Sequence, residues 1–217
     1  MELHGPIDPE ETALLVIDMQ NGFCHDGGGL KKGGLSIEAC QRIIPTVKLL
    51  IEACHERRMP VIFSQQEHFA QDSSKALHRI PTHLHYLDVR DLSLCVGGTW
   101  DAEIVDQLKA IMRPQDNVIK KHKFSCFYCT RLEVLLRALG RRILIHAGVN
   151  TNVCVESTLR DAYMRDFDVI VVEDAVASPQ EHLHRATLEN VRLYFGAVMS
   201  AEELLQRMAV QRPLLKT

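Results

Sequence analysis

Basic residues are not in excess: 25 Lys and Arg stand against 28 Asp and Glu, a formal net charge of −3 with histidines neutral. That balance gives no reason to expect nucleic acid or an anionic membrane as a partner. Long apolar runs are missing too, so no segment is suited to spanning a bilayer. Residues 1–11 carry neither a basic n-region nor an apolar h-region, and no secretory signal is expected. Cysteine is the one residue type whose pattern lacks order: seven are scattered, an odd number without framework spacing. This fits free thiols in a cytoplasmic protein better than a disulfide scaffold. Repeats, low-complexity tracts and linkers are lacking as well. The 217 residues, 46% hydrophobic and 24% charged, suit one domain spanning 1–217 with a sizeable core.

What is present is an alternation of two periods. Residues 13–18, 61–64, 117–121, 142–146, 168–172 and 196–199 are strand-length, mostly apolar runs, as expected of strands buried on both faces. Between them, 37–58, 102–112, 130–139, 181–193 and 201–208 read as helices. Pro45 implies a late start or a kink in the first of these, and Gly140 ends the third. Residues 65–98 show no sustained period, mix histidine, serine, proline and charge, and are expected to cover a substrate. The alternation predicts an α/β fold, a mostly parallel, six-stranded, Rossmann-like sheet with helices on both faces. Its site is expected beyond the carboxyl ends of the strands.

The most informative stretch is Ala147-Gly-Val-Asn-Thr-Asn-Val-Cys154, which predicts a strand, a tight turn and a helix. Val155, Thr158, Leu159 and Ala162 then recur on one helical face. Thr151 or Asn152 can cap the helix start. Cys154 would lie in the first helical turn, where free N–H groups and the macrodipole are expected to lower a thiol's pKa and make it a nucleophile. The alternative is a small buried hydrophobe. Asp18, Lys121 and the 148–154 turn all fall at carboxyl ends of predicted strands. If those strands are neighbours, an acid, a base and a thiol share one crevice.

Four stretches in order, Ala13-Leu-Leu-Val-Ile-Asp-Met-Gln-Asn-Gly-Phe23, Gly98-Thr-Trp-Asp-Ala-Glu-Ile104, Lys121-His-Lys-Phe-Ser-Cys-Phe127 and Gly148-Val-Asn-Thr-Asn-Val-Cys154, resemble the isochorismatase-like cysteine hydrolases. This superfamily includes nicotinamidases, N-carbamoylsarcosine amidase, ureidoacrylate amidohydrolase and biuret hydrolase, and the resemblance runs from near residue 12 to about residue 200. It implies Asp18, Lys121 and Cys154 as the catalytic triad and a three-layer α/β/α sandwich. It also implies a cis Val149–Asn150 bond and, commonly, a homo-oligomer, either a dimer or a tetramer. In chemical terms Asp18 would move protons, Lys121 would stabilise the thiolate, and Cys154 would attack a carbonyl carbon. Backbone N–H groups of Asn150 and Cys154 would form the oxyanion hole.

For specificity, Phe23, Trp100, Phe124 and Phe127 are candidate pocket walls, and Gln20, Gln66 and Asn150 can read urea-like groups with their amides. Glu156 is a further candidate, although an ion pair with Arg160 at i, i+4 is the simpler expectation. Nicotinamidases carry a metal-binding Asp-x-His after the second strand. Here Gln66 stands two residues before His68, so no metal and no other cofactor is expected; His78, His83 and His85 lack an anionic co-ligand. Cys126-Phe-Tyr-Cys129 fits C-x-x-C but is expected to fill small-residue sites rather than do redox chemistry. The glycine-rich run Asp26-Gly-Gly-Gly-Leu-Lys-Lys-Gly-Gly34 has neither a P-loop nor a dinucleotide pattern and is expected to be a flexible or pocket-bordering loop. The expected function is hydrolysis of a C–N bond in a small amide, a ureido or carbamoyl compound, through a thioester. The alternatives are a nicotinamidase, an isochorismatase-type hydrolase or a non-catalytic interaction subunit.

Overall fold

The computed structural model describes residues 6–69 and 94–209. Along the chain these contain β1 (Thr12–Ile17), α1 (Asn21–Cys24), α2 (Gly29–Lys32), α3 (Glu38–Arg42), α4 (Ile44–Glu56) and β2 (Val61–Gln66). There follow α5 (Asp106–Lys109), β3 (Asn117–Lys121), α6 (Leu132–Ala138), β4 (Ile143–Val149) and α7 (Glu156–Tyr163). The last are β5 (Asp168–Ala177), α8 (Glu181–Asn190), β6 (Gly196–Met199) and α9 (Ala201–Ala209). The six strands form one sheet in the order β3-β2-β1-β4-β5-β6, and every pairing is parallel. No helix among the described residues is long and apolar enough to cross a membrane.

Burial on both faces explains the near-continuous apolar strands. In β1, Leu14 and Val16 enter a core with α4, α5 and α9, while Ala13, Leu15 and Ile17 enter a second core with α6, α7 and α8. The helices supply the matching stripes: Val47, Leu50, Ile51 and Cys54 on α4, and Val155, Leu159 and Ala162 at α7. Each fully buried Leu or Ile contributes roughly 1.5–3 kcal/mol.

β1 and β4 approach so closely at their carboxyl ends that Gly148, paired with Ile17, admits no side chain. A Cβ there would lie 2.0 Å from the Ile17 carbonyl oxygen, and φ is +117°. Asp18 follows β1 in the left-handed region (φ 49°), which turns the chain sharply at the sheet edge.

Several boundaries differ from expectation. The predicted helix 37–58 breaks at Ile43 into α3 and α4, with Pro45 in the first turn of α4. The predicted helix 102–112 is mostly absent. Residues 103–105 are tied instead to the segment after β1, Asn21 donating to Glu103 and Val105 to Met19, which leaves only α5 helical. β2 runs two residues beyond the apolar run, and β5 five residues, with an irregular register between His146 and Gly148. The glycine-rich run holds α2 and is pinned by Asp101, which accepts from Gly29 N–H at 2.9 Å and from Cys95 N–H at 2.7 Å. Most of the 65–98 segment, with His78, His83 and His85, lies outside the described residues.

His146 sits fully buried in mid-β4, one ring nitrogen near the carbonyls of Leu144 and Ile170 and the other without a partner among the described residues. Burial outweighs those carbonyl contacts and lowers its pKa to about 4. Between that value and the unfolded value near 6.5 the unfolded chain binds a proton that the folded chain does not, so stability falls as pH falls through this window. Urea unfolding at pH 7.5, 5.5 and 4.5 should show a progressive loss approaching about 3 kcal/mol at the acid end. His146→Met should lack this component of the slope.

Candidate active site

Asp18 and Lys121 come from strands separated by β2, and their side chains meet with no solvent exposure: Lys121 Nζ lies 2.7 Å from Asp18 Oδ2. The register explains the meeting. Gln66 of β2 pairs with Lys121 of β3, and β2 pairs in turn with β1, so residues at the strand ends share one edge. Ser64 Oγ donates to Asp18 Oδ1 at 2.6 Å and accepts from Asp18 N–H at 3.2 Å, so the other carboxylate oxygen is held as well. Lys121 Nζ also donates to Gln66 Oε1 at 2.7 Å and to the Lys123 carbonyl at 3.2 Å. Burial alone would push the ammonium towards neutrality. The Asp18 carboxylate, as neighbouring charge and hydrogen-bond acceptor, leads the interactions that outweigh burial and hold Lys121 charged, above the ordinary lysine range.

Cys154 completes the constellation from β4. The Val149–Asn150 peptide is cis, in agreement with what the family resemblance implies. After it, Thr151–Val155 form a π-helical turn that runs into α7. The start is not capped by Thr151 or Asn152. The Asn150 carbonyl accepts from the N–H groups of Val153 (3.0 Å) and Val155 (3.2 Å). Thr151 Oγ1 instead meets His184 Nδ1 at 2.9 Å, and Asn152 Oδ1 accepts from Ser178 at 2.5 Å.

The buried Cys154 thiol lies within electrostatic reach of Asp18 and Lys121. Its pKa is raised well above that of a free thiol: burial dominates, Lys121 pulls the other way, and Asp18 adds to burial. The expected lowering at a helix start is therefore corrected. The group is a resting thiol, not a preformed thiolate. Thr158, one turn on, donates to the Cys154 carbonyl at 2.7 Å and accepts from Cys126 N–H at 3.1 Å.

The other predicted positions divide. Gln20 is not available to a substrate: its amide nitrogen donates to the carbonyls of Gln66 (2.9 Å) and Ala102 (2.8 Å), and its oxygen accepts from Gln66 N–H (2.8 Å). The Gln66 amide oxygen is engaged by Lys121, so only its amide nitrogen, 3.4 Å from His68 Nε2, is left to meet a substrate. Phe127 is core, packed on Phe167 at 5.7 Å with the Arg165 guanidinium above it. Phe23 is buried in the opposite core. Trp100 and Phe124 are 44% and 52% exposed, and Trp100 meets His25 edge-on at 4.8 Å.

Glu156 pairs with Arg160 at 2.6 Å and accepts from Thr187 at 2.6 Å, as the simpler expectation had it. Cys126 is buried and Cys129 exposed, and both are free thiols. Among the described residues no three His, Cys, Asp or Glu side chains are grouped as metal ligands. Ser64 and Thr158 were missed. A hydroxyl inside a fully buried strand is the signal that marks Ser64, since such a group needs a partner.

Removing one member of a buried ion pair strands the other charge. Lys121→Met should therefore lower unfolding stability by about 3–5 kcal/mol, and Asp18→Asn with Lys121→Met together should recover most of it. Urea denaturation of the two single variants and the double variant measures this coupling; additive losses would contradict the pairing.

The isochorismatase domain pattern matches residues 12–203. The ureidoacrylate amidohydrolase RutB of Acinetobacter baylyi is 33% identical over 220 residues, covering 96% of this chain and 88% of that protein. The RutB of Pantoea ananatis is 35% identical over 202 residues, with coverage of 88% and 80%. Among solved structures, a cysteine hydrolase from Pseudomonas syringae pv. phaseolicola superposes with a TM-score of 0.80 at 26% identity, covering 94% of both chains. Nicotinamidase PncA from Bacillus subtilis superposes with a TM-score of 0.72 at 26% identity, covering 88% of this chain and 99% of that one. With the family pattern spanning most of its length and relatives above 30% identity along nearly all of it, this chain belongs to the isochorismatase family.

Proposed function

We propose that this protein is a cysteine amidohydrolase that cleaves a C–N bond of a small ureido or carbamoyl compound, with Asp18, Lys121 and Cys154 as its catalytic residues. The observation that carries the reading is the dry ion pair of Asp18 and Lys121 at the strand ends, with the buried Cys154 thiol within electrostatic reach of both. A purely structural ion pair has no need of the thiol, and a buried structural cysteine has no need of the pair. The substrate class is supported by the ureidoacrylate amidohydrolases at 33% and 35% identity. A nicotinamidase reading is less well supported, because the neutral Gln66 stands where those enzymes carry a metal-binding acid.

In the proposed reaction the Cys154 proton passes to Asp18 as sulfur attacks the substrate carbonyl carbon. The resulting thiolate character is matched by the Lys121 ammonium. The carbonyl oxygen gains negative charge, and the backbone N–H groups of Asn150 and Cys154 are the donors assigned to it. Collapse expels ammonia or an amine, which takes the proton from Asp18, and a thioester remains. Asp18 then accepts a proton from water as the hydroxyl adds to the thioester carbon, and returns that proton to sulfur when the acid leaves. For a ureido substrate the acid released is a carbamate. No cofactor takes part in these steps.

Purified protein should release ammonia from ureidoacrylate, biuret or N-carbamoylsarcosine, and Cys154→Ala should lose at least about a thousandfold of that activity with its circular dichroism unchanged. Failure on all three ureido compounds, with turnover of nicotinamide, would reassign the substrate. Hydrolysis that survives Cys154→Ala would point to the isochorismatase-type alternative, in which no thiol nucleophile is needed.

A further inference from the structure

β2 contributes none of the three proposed catalytic residues, yet it lies between the strands that supply two of them. Ser64 and Gln66 are two apart on β2 and so project from the same face. Ser64 holds the acid; Gln66 holds the base. Lys121 has three N–H donors, and they face the Asp18 carboxylate, the Gln66 amide oxygen and the Lys123 carbonyl. Of these acceptors only Gln66 is both a neutral side chain and itself locked in place. Gln20 clamps the Gln66 backbone at both its N–H and its carbonyl, and Gln20 is tied in turn to Ala102. Gln20, Gln66, Lys121 and Asp18 are all buried, so this chain of hydrogen bonds has no water to compete with it.

We propose that Gln66 is a positioning residue for Lys121, an uncharged acceptor that aims the ammonium at Asp18 and Cys154 without diluting its charge. The neutrality matters. With Asp18 and Lys121 the site carries one charge of each sign, and a thiolate formed at Cys154 by loss of its proton to solvent, as in alkylation without substrate, makes the ammonium serve two anions. A carboxylate at position 66 would be a third anion on the same ammonium and would oppose thiolate formation. An apolar side chain would leave Nζ one acceptor short in a buried setting, free to tilt away from sulfur.

The inference rests on the amidase reading only for turnover; its second readout needs no substrate. Carbamidomethylation of the Cys154 peptide by iodoacetamide, followed by mass spectrometry from pH 6 to pH 10, reports thiolate formation directly. The groups facing this titration are Asp18 from the end of β1, Lys121 from β3, Cys126 after β3 and Cys95 after the undescribed segment, with His68 3.4 Å from the Gln66 amide nitrogen. Gln66→Met should displace the profile upward by about one pH unit and lower kcat about 10- to 100-fold with KM within about twofold. Gln66→Glu keeps an acceptor and should recover the thermal midpoint lost in Gln66→Met, while moving the profile at least as far upward.

A structural role alone would shift the midpoint and leave both profiles on that of the parent, and that result would overturn the proposal. Should Gln66→Met not fold, an unshifted profile for Gln66→Glu would do the same. A parent protein inactive on every ureido compound, with the displaced profiles intact, would defeat the substrate reading and leave Gln66 in its role.

Discussion

The ion pair between Asp18 and Lys121 is the constraint around which the carboxyl edge of the sheet is built. Two opposite charges 2.7 Å apart, both out of solvent, attract strongly but have each lost their hydration, and such a pair is tolerable only when the remaining lone pairs and protons are also bonded. The surroundings meet that demand from several segments. Ser64 serves the carboxylate, and Gln66 and the Lys123 carbonyl serve the ammonium. The supports must arrive together, which ties β1, β2 and β3 to one register. The close approach at Gly148 brings β4 against β1 and delivers the cysteine turn to the same edge.

The same pair sets the state of the thiol. Lys121 alone beside Cys154 would favour a standing thiolate, but burial and the Asp18 carboxylate together keep the proton on sulfur. The resting site is then neutral overall, with one positive and one negative side chain and an uncharged thiol. In the proposed reaction, transfer of the proton to Asp18 would convert the acid–base pair into a lone ammonium beside a thiolate, so that charge separation develops as a carbonyl is attacked rather than before. A buried thiol that is protonated until a substrate arrives is also less exposed to adventitious alkylation and oxidation.

The alternation of strands and helices was legible because strands buried on both faces must be apolar along their length, and the runs at 117–121 and 196–199 coincide with β3 and β6. The strand ends were not. Gln65 and Gln66 extend β2, and residues 173–177 extend β5, although their polar or mixed character carries no period-two signal. The 102–112 segment has helical residues but forms only α5, since its first residues pair with the chain after β1, and tertiary pairing overrode propensity. Asp18, Lys121 and Cys154 were found together because their motifs are specific. Gln20 and Phe127 were misjudged as substrate contacts because residue type alone does not show whether an amide is already bonded or a ring already packed.

By itself, then, the order of residues determined an α/β chain with three reactive groups at strand ends, since apolar runs, breakers and motif spacing are properties of the chain. The distance between Asp18 and Lys121, the raised pKa of the thiol and the bond from Lys121 to the Gln66 amide oxygen were decided only in three dimensions. Each depends on which strands lie side by side and on how completely water is excluded, and neither is encoded in any single stretch of sequence.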